Sequence, residues 1–418
     1  MEPTVQHRET GNERFEKGPG IREGLKDFSK HLNAKTITAG TVAAVFGCTG
    51  PALLVINAAT NGGLSQVQAI SWLFSIYFFG GLISIFLALR YKQPINGAYS
   101  IPAAVMMISA MNYFSVYEAA GAYFIAGLIV LVLGFSGLIA KVMRWLPLPV
   151  VMAMIAGAMI RFGTGIITST EAMPIMGAAA LAGFLILPRL TKKIPPVLGA
   201  LLLGIIAAAF SGGLDWSNAN YAFVAPQLLV PQFSLDALLS IAIPLAILVI
   251  GAENAQAAGV LMAQDYKPPI NAMTIVSGLG GMVTAFFGGH NANIAGPMTA
   301  ICSSEEAGDN KEGRYVASVI NGVLFGGFGL LASLALAFVS GLPKSLIGIV
   351  AGLAMIGVLL SAFQEAFAPK KFKTGAFFAL IIAMSGITIF KVSAPFWALV
   401  GGVVVSYLTE PQDFQRTE

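Results

Sequence analysis

From residue 36 onward the chain is a succession of apolar blocks, each closed by a charge or by a Pro/Gly cluster. A helix needs roughly 20 apolar residues to cross about 30 Å of hydrocarbon. Blocks of that size lie near 36–59, 66–89, 117–140, 147–168, 173–190, 195–213, 235–262, 269–287, 315–340, 344–367, 373–390 and 393–409, and each predicts a membrane-spanning helix. Two further blocks, around 95–110 and 290–303, are apolar but short and are interrupted by Gly, Asn and Pro. If both cross, the spans number fourteen.

Composition agrees with this reading. Hydrophobic residues make up 56% of the chain and charged residues 11%, more apolar than a soluble domain of this size carries. Mean hydropathy is +0.78. Residues 1–35 are polar, hold seven Lys/Arg and lack the apolar stretch and cleavage site of a secretory signal, so the first span is expected to direct insertion. Within them Ile21, Leu25, Phe28 and Leu32 recur at helical spacing among Arg22, Lys26 and Lys30. That pattern fits an amphipathic helix on the inner membrane surface, with a solvated tail as the alternative.

Charge placement tests the span count independently. With a cytoplasmic N-terminus and fourteen crossings, 21 of the 24 Lys/Arg fall in cytoplasmic segments: the N-terminal seven, Arg90, Lys92, Lys141, Arg144, Arg189, Lys192, Lys193, Lys267, Lys311, Arg314, Lys370, Lys371, Lys373 and Arg416. Arg161, Lys344 and Lys391 are the exceptions. Omitting both short blocks places 141–144 and 189–193 outside, against the rule.

Fourteen divides into seven and seven around the cation-free stretch from Ser211 to Asp236, and the halves resemble each other. Leu146-Pro147 followed by AGAMI at 156–160 matches Leu342-Pro343 followed by AGLAMI at 351–356, while NGAYSIP at 96–102 matches NANIAGP at 291–297 at an offset of 195. An odd number of spans per half inverts the second copy. Inverted repeats with interrupted helices in matching positions characterise secondary transporters, and the interruptions mark the substrate site. The expected organisation is a cytoplasmic basic segment 1–35, a first repeat 36–213, an extracytoplasmic linker 214–234, a second repeat 235–409 and a cytoplasmic tail 410–418.

Backbone groups inside hydrocarbon must be satisfied, so non-helical residues survive there only under protein or in a wet cavity. Pro94 to Ile101 and Gly288 to Gly296 read as short extended stretches reaching the midplane, with a half-helix beginning at each of Pro102 and Pro297. Two such helix starts facing each other present free N–H groups and positive dipole ends, which suit an anion or a hydrogen-bonding ring. Asn96, Tyr99, Ser100, Asn291 and Asn293 are the candidate substrate contacts there, the alternative being that they satisfy only the broken backbone.

Glu253 is the carboxylate that falls deep inside a span. An ionised carboxylate buried there costs several kcal/mol or more, which favours holding a proton. It is therefore the candidate proton-coupling group, with permanent pairing to a neighbouring helix as the structural alternative. In the repeat register Thr49 falls opposite Glu253, and Gln256 and Asn254 adjoin it. His290 is a second candidate for proton relay or substrate contact. Arg161 reads as a snorkelling interfacial cation, and Gly322/Gly326 and Gly348/Gly352 as close helix contacts. Cys48 and Cys302 read as small core residues. No phosphate loop, no zinc spacing among His7, His31 and His290 and no nucleophile beside a base points to an enzyme, a metal or a cofactor.

At these residues the chain resembles the BenE family of benzoate/proton symporters, within the superfamily of nucleobase and sulfate transporters, over roughly residues 35–409. The resemblance rests most on NIAGPMTAIC at 293–302, the polar loop after it, Arg314-Tyr315 and the glycine-rich span that follows, and less specifically on PINGAYSIP at 94–102. It departs from the family block at His290 and at Gly296-Pro297. Membership implies an all-helical membrane fold with a core domain from spans 1–4 and 8–11 and a gate domain from spans 5–7 and 12–14. Substrate would sit where broken spans 3 and 10 meet span 8. It also implies a bacterial cytoplasmic membrane location and a homodimer through the gate domains. The expected function is proton-coupled import of a small aromatic carboxylate such as benzoate. A nucleobase/proton symporter and an anion channel are the alternatives.

Overall fold

Because nearly every residue in a span is apolar, helix ends are set by caps and prolines rather than by changes of hydrophobicity. Asn33 caps helix α2 (Ala34–Cys48), accepting from the Lys35 and Thr36 amides, while the Thr36 hydroxyl accepts from the Asn33 amide. Reciprocal boxes of the same kind, Ser65 with Gln68 and Ser115 with Glu118, open α4 (Gln66–Tyr91) and α6 (Val116–Ser136). Prolines stand in the first turn of α3 (Gly50–Asn61), α5 (Ile101–Ala110), α7 (Leu148–Ala172), α8 (Pro174–Leu185) and α9 (Pro196–Phe210), where a missing N–H costs nothing.

In the computed structural model, residues 15–138, 147–190, 195–217, 221–389 and 392–414 are described. Arg8, Arg14, Lys141, Arg144, Lys192, Lys193, Lys391 and Arg416 of the charge count, His7, and Leu146 of the repeat match lie outside them. The second half continues with α10 (Leu235–Ala263), α11 (Ile270–Ala285), α12 (Gly296–Ser303), α13 (Tyr315–Leu330), α14 (Ala332–Ser340), α15 (Lys344–Phe367), α16 (Lys373–Ser385) and α17 (Ala394–Thr409). The protein is predominantly helical. Among the described residues six helical stretches are long and apolar enough to cross a membrane, and α13 with α14, bent by 66° at Leu331, makes a seventh.

Two strands of two residues each, β1 (Gly97–Ala98) and β2 (Asn293–Ile294), pair antiparallel with Gly97 opposite Ile294 and Ala98 opposite Asn293. This ladder brings the two interrupted blocks together. The helices divide by contact into two sets: α2, α4, α6, α11 and α13 pack on one another around the ladder and hold α3, α5, α10 and α12 with them, and α7, α8, α9, α15, α16 and α17 pack on one another beside them. Gly322 and Gly326 on α13 lie against Gly81 on α4 so closely that a side chain at Gly81 would stand 2.7 Å from the Gly326 amide nitrogen. The glycine pair is thus a helix contact.

Two further blocks differ from a plain helix. The 36–59 block breaks at Thr49, which leaves the helical conformation (φ −99°, ψ −98°) between α2 and α3. The 235–262 block contains two π-helical turns, Leu238–Ala242 and Leu248–Asn254. At the N-terminus, Ile21–His31 forms helix α1, which is not a solvated tail: Gly24 rests against the Leu89 backbone and accepts a 2.7 Å hydrogen bond from Tyr315. Ahead of it the Glu16 carboxylate accepts from the Asn271 and Ala272 amides, both at 2.8 Å, at the start of α11.

Candidate functional site

The two half-helices start beside the β1–β2 ladder but with different chemistry. Ser100 caps α5, its hydroxyl accepting from the Ala103 amide at 3.3 Å, and the Ile101 amide faces the Glu253 carboxylate. Helix α12 begins at Gly296 after Ala295, with no side-chain cap on its first turn. Both Pro102 and Pro297 occupy first-turn positions. Glu253 reaches this junction from the second π turn of α10, where one extra residue in the helical turn re-aims the side chains that follow.

A cavity of about 500 Å3 opens beside them, within the range of small-molecule sites. Thr49, Pro102, Glu253, Gln256 and Pro297 line it from the first set of helices, and Met152, Phe184, Leu353 and Ser361 from the second. Its walls are otherwise apolar, with Phe46 and Ile101 prominent. Glu253 is only 6% exposed and also borders a smaller recess against Tyr99, Ala98 and Met298. An apolar chamber with one carboxylate, a threonine and a glutamine at its rim, and an uncapped helix start in its wall, accommodates a flat apolar body bearing one polar or charged group.

The remaining candidates are held within the protein. Asn96, fully buried, donates to Ser318 Oγ at 2.9 Å and to the Met298 carbonyl at 3.1 Å, and accepts from Asn321 at 2.9 Å. It ties the start of the first interruption to α12 and α13. Tyr99 shares a 2.7 Å hydrogen bond with Tyr77, whose hydroxyl also donates to the Gly47 carbonyl. Asn291 accepts from the Ser100 amide at 3.0 Å. Asn293 is buried on the ladder with no partner for its side chain among the described residues. Asn254 turns toward α11, accepting from Ser277 at 3.0 Å.

His290 is fully buried away from the cavity. Trp72 Nε1, which can only donate, bonds its Nδ1 at 2.9 Å, so Nδ1 is unprotonated and Nε2 carries the hydrogen that meets the Ser100 carbonyl at 3.1 Å. The ring is neutral in this arrangement and braces the turn before α5. Among the described residues no group of three or more His, Cys, Asp and Glu side chains converges to hold a metal.

Sequence reasoning missed the half of the cavity wall supplied by α7, α8, the start of α9 and α15. Apart from Ser361, those residues are ordinary apolar side chains in ordinary apolar blocks, and carry no local mark. The break at Thr49 did leave one: Gly50-Pro51 inside a span is a helix interruption in the same vocabulary as Gly296-Pro297.

The model of the family described as "BenE: Benzoate membrane transport protein" matches residues 30–408. "Inner membrane protein YdcO" of Escherichia coli (strain K12) is 28% identical over 373 residues, 88% of this chain and 94% of that protein. "Benzoate membrane transport protein" of Acinetobacter baylyi is 26% identical over 384 residues, 92% of this chain and 97% of that protein. Among solved structures, the transmembrane domain of a cyanobacterium bicarbonate transporter, BicA, aligns with a TM-score of 0.56 at 14% identity over 90% of this chain and 97% of that one. SLC26A9 aligns with a TM-score of 0.65 at 16% identity over 92% of this chain and 67% of that one. These two likenesses show a shared fold.

Proposed function

The chain belongs to the BenE family of membrane transport proteins, and from that premise we propose that it is a proton-coupled symporter importing a small aromatic carboxylate such as benzoate across a bacterial cytoplasmic membrane. The observation that carries the proposal is Glu253 standing on the wall of an apolar cavity between two half-helix starts. An aromatic ring fits the walls formed by Phe46, Ile101, Met152 and Phe184. Its carboxylate is served by the uncapped start of α12 and by Thr49 or Gln256.

Coupling follows from electrostatics. Two like charges in one small apolar chamber repel, so anion and ionised Glu253 exclude each other and a proton enters with the anion. In the fold proposed here, fourteen spans form two inverted repeats, with a core (α2–α6 and α10–α14) moving against a gate (α7–α9 and α15–α17). The packing supports this division: α4 pairs with α13 as α11 pairs with α6, and α8 with α9 as α16 with α17, pairings that exchange under an inverted repeat. Both termini would lie in the cytoplasm and the gate helices would form a homodimer.

The nucleobase reading loses ground because Asn96, Asn291 and Asn293, the amides that would read a ring edge, do not line the cavity. The test is uptake by proteoliposomes holding the purified protein. Saturable benzoate uptake driven by an inside-alkaline pH gradient, unaffected by uracil, is expected. Uptake of uracil with no effect of benzoate, or unsaturable conductance, would overturn the proposal.

A further inference from the structure

An arginine bonds the outgoing turns of each half-helix, and the two are held differently. Buried Arg314, at the start of α13, donates through Nη1 to the Ser303 carbonyl at 2.7 Å and through Nε to the Gly308 carbonyl at 2.8 Å, closing the C-terminal end of α12 from within the same set of helices. Arg161, in the middle of α7, crosses between sets. Its Nη2 donates to Ser109 Oγ at 2.8 Å and lies 3.4 Å from the Val105 carbonyl, both on α5. A cation at a helix C-terminal end is favoured by the dipole, and a guanidinium at membrane depth needs such partners.

We propose that Arg161 is a tie that holds the outer side of the transporter closed, so that its bond to Ser109 forms in the inward-facing state and breaks when the core moves against the gate. The inference rests on the fourteen-span topology proposed above, in which α5 runs outward from the midplane. Two observations give it direction. The cavity reaches Pro195 and Pro196 at the start of α9 and Ser361 late in α15, the ends that this topology puts toward the cytoplasm. On the opposite side, α5 packs on α7 and α3 packs on α15. The inner arginine is a fixture of one set and bridges nothing across the seam, whereas the outer arginine spans it.

The test is side-specific labelling of Thr49→Cys, a position on the cavity wall, in a background lacking Cys48 and Cys302. In sealed membranes a charged thiol reagent is added from one side at a time. With Arg161 intact the cysteine reacts from the inside and slowly from the outside. Arg161→Gln and, independently, Ser109→Ala, which leaves the charge untouched, raise the outside rate on the order of tenfold, with little change in thermal unfolding midpoint. Lower midpoints with an unchanged outside rate would show mere packing and overturn the tie. Reaction of the intact protein only from the outside would instead overturn the membrane orientation, separately from the bond.

Discussion

Replacing Glu253 by glutamine keeps the side chain's shape, removes its charge and removes its capacity to carry a proton, so it isolates the coupling step. A cavity of about 500 Å3 is about 10 Å across, and at about 6 Å, near its middle, two like charges repel by about 3 kcal/mol even at an effective dielectric of about 20. That corresponds to roughly a hundredfold in affinity. Benzoate binding to the wild type should therefore weaken by up to this factor as pH rises and Glu253 ionises, whereas Glu253→Gln should bind with an affinity independent of pH. Uptake separates the two further. With one proton per anion, an inside-alkaline gradient of one pH unit drives about tenfold accumulation in the wild type and, because the pair is neutral, an imposed membrane potential adds nothing. The glutamine variant should exchange labelled for unlabelled benzoate yet accumulate none. Equal accumulation by variant and wild type in the same proteoliposomes would refute Glu253 as the coupling group.

Asn96→Ala leaves Asn321 and Ser318 without their buried partner and should cost about 1–3 kcal/mol of stability, measured as a lowered thermal midpoint in detergent. His290→Phe removes the Trp72 acceptor and the bond to Ser100, so it should lower stability while leaving the pH dependence of uptake unchanged; an altered pH dependence would show that the imidazole titrates in the cycle. Beyond the last helix, burial pushes the Glu410 carboxyl up, but the Thr374 and Gly375 amides donate to it at 2.7 and 3.0 Å and hold it below the ordinary glutamate value. Its stabilising effect is present above the unfolded-state value and is lost as pH falls through the folded one. Glu410→Gln should accordingly unfold at lower temperature than the wild type at neutral pH, with the gap closing in acid.

Both interrupted blocks were legible because Gly, Asn and Pro crowd together within a few residues there, where single ones elsewhere leave a helix intact, and that clustering is local. The repeat match named the two segments as counterparts, but not their antiparallel pairing as strands with Gly97 opposite Ile294 and Ala98 opposite Asn293, since no residue in either segment marks that register. Glu253 stood out by type alone, yet the π turn that aims it depends on which backbone bonds the surrounding helices permit. Residue chemistry also ran ahead of direction. Asn96, Asn291 and His290 are the polar side chains expected of a binding site, and the structure spends them on backbone and on other buried side chains, because an interrupted helix must first satisfy itself. The apolar wall from α7, α8 and α15 was invisible for the opposite reason: in a chain 56% hydrophobic, a residue facing a chamber and one facing lipid look alike.

The β1–β2 ladder dictates an order of assembly. Its first strand leaves the ribosome long before the second exists, and until residue 294 is threaded into the bilayer the backbone at 97–98 has no strand to bond. The N-terminal half alone cannot complete the chamber. A chain truncated before residue 290 should therefore be inserted but not matured, exposed to membrane proteases, and rescued when the missing half is coexpressed as a separate polypeptide.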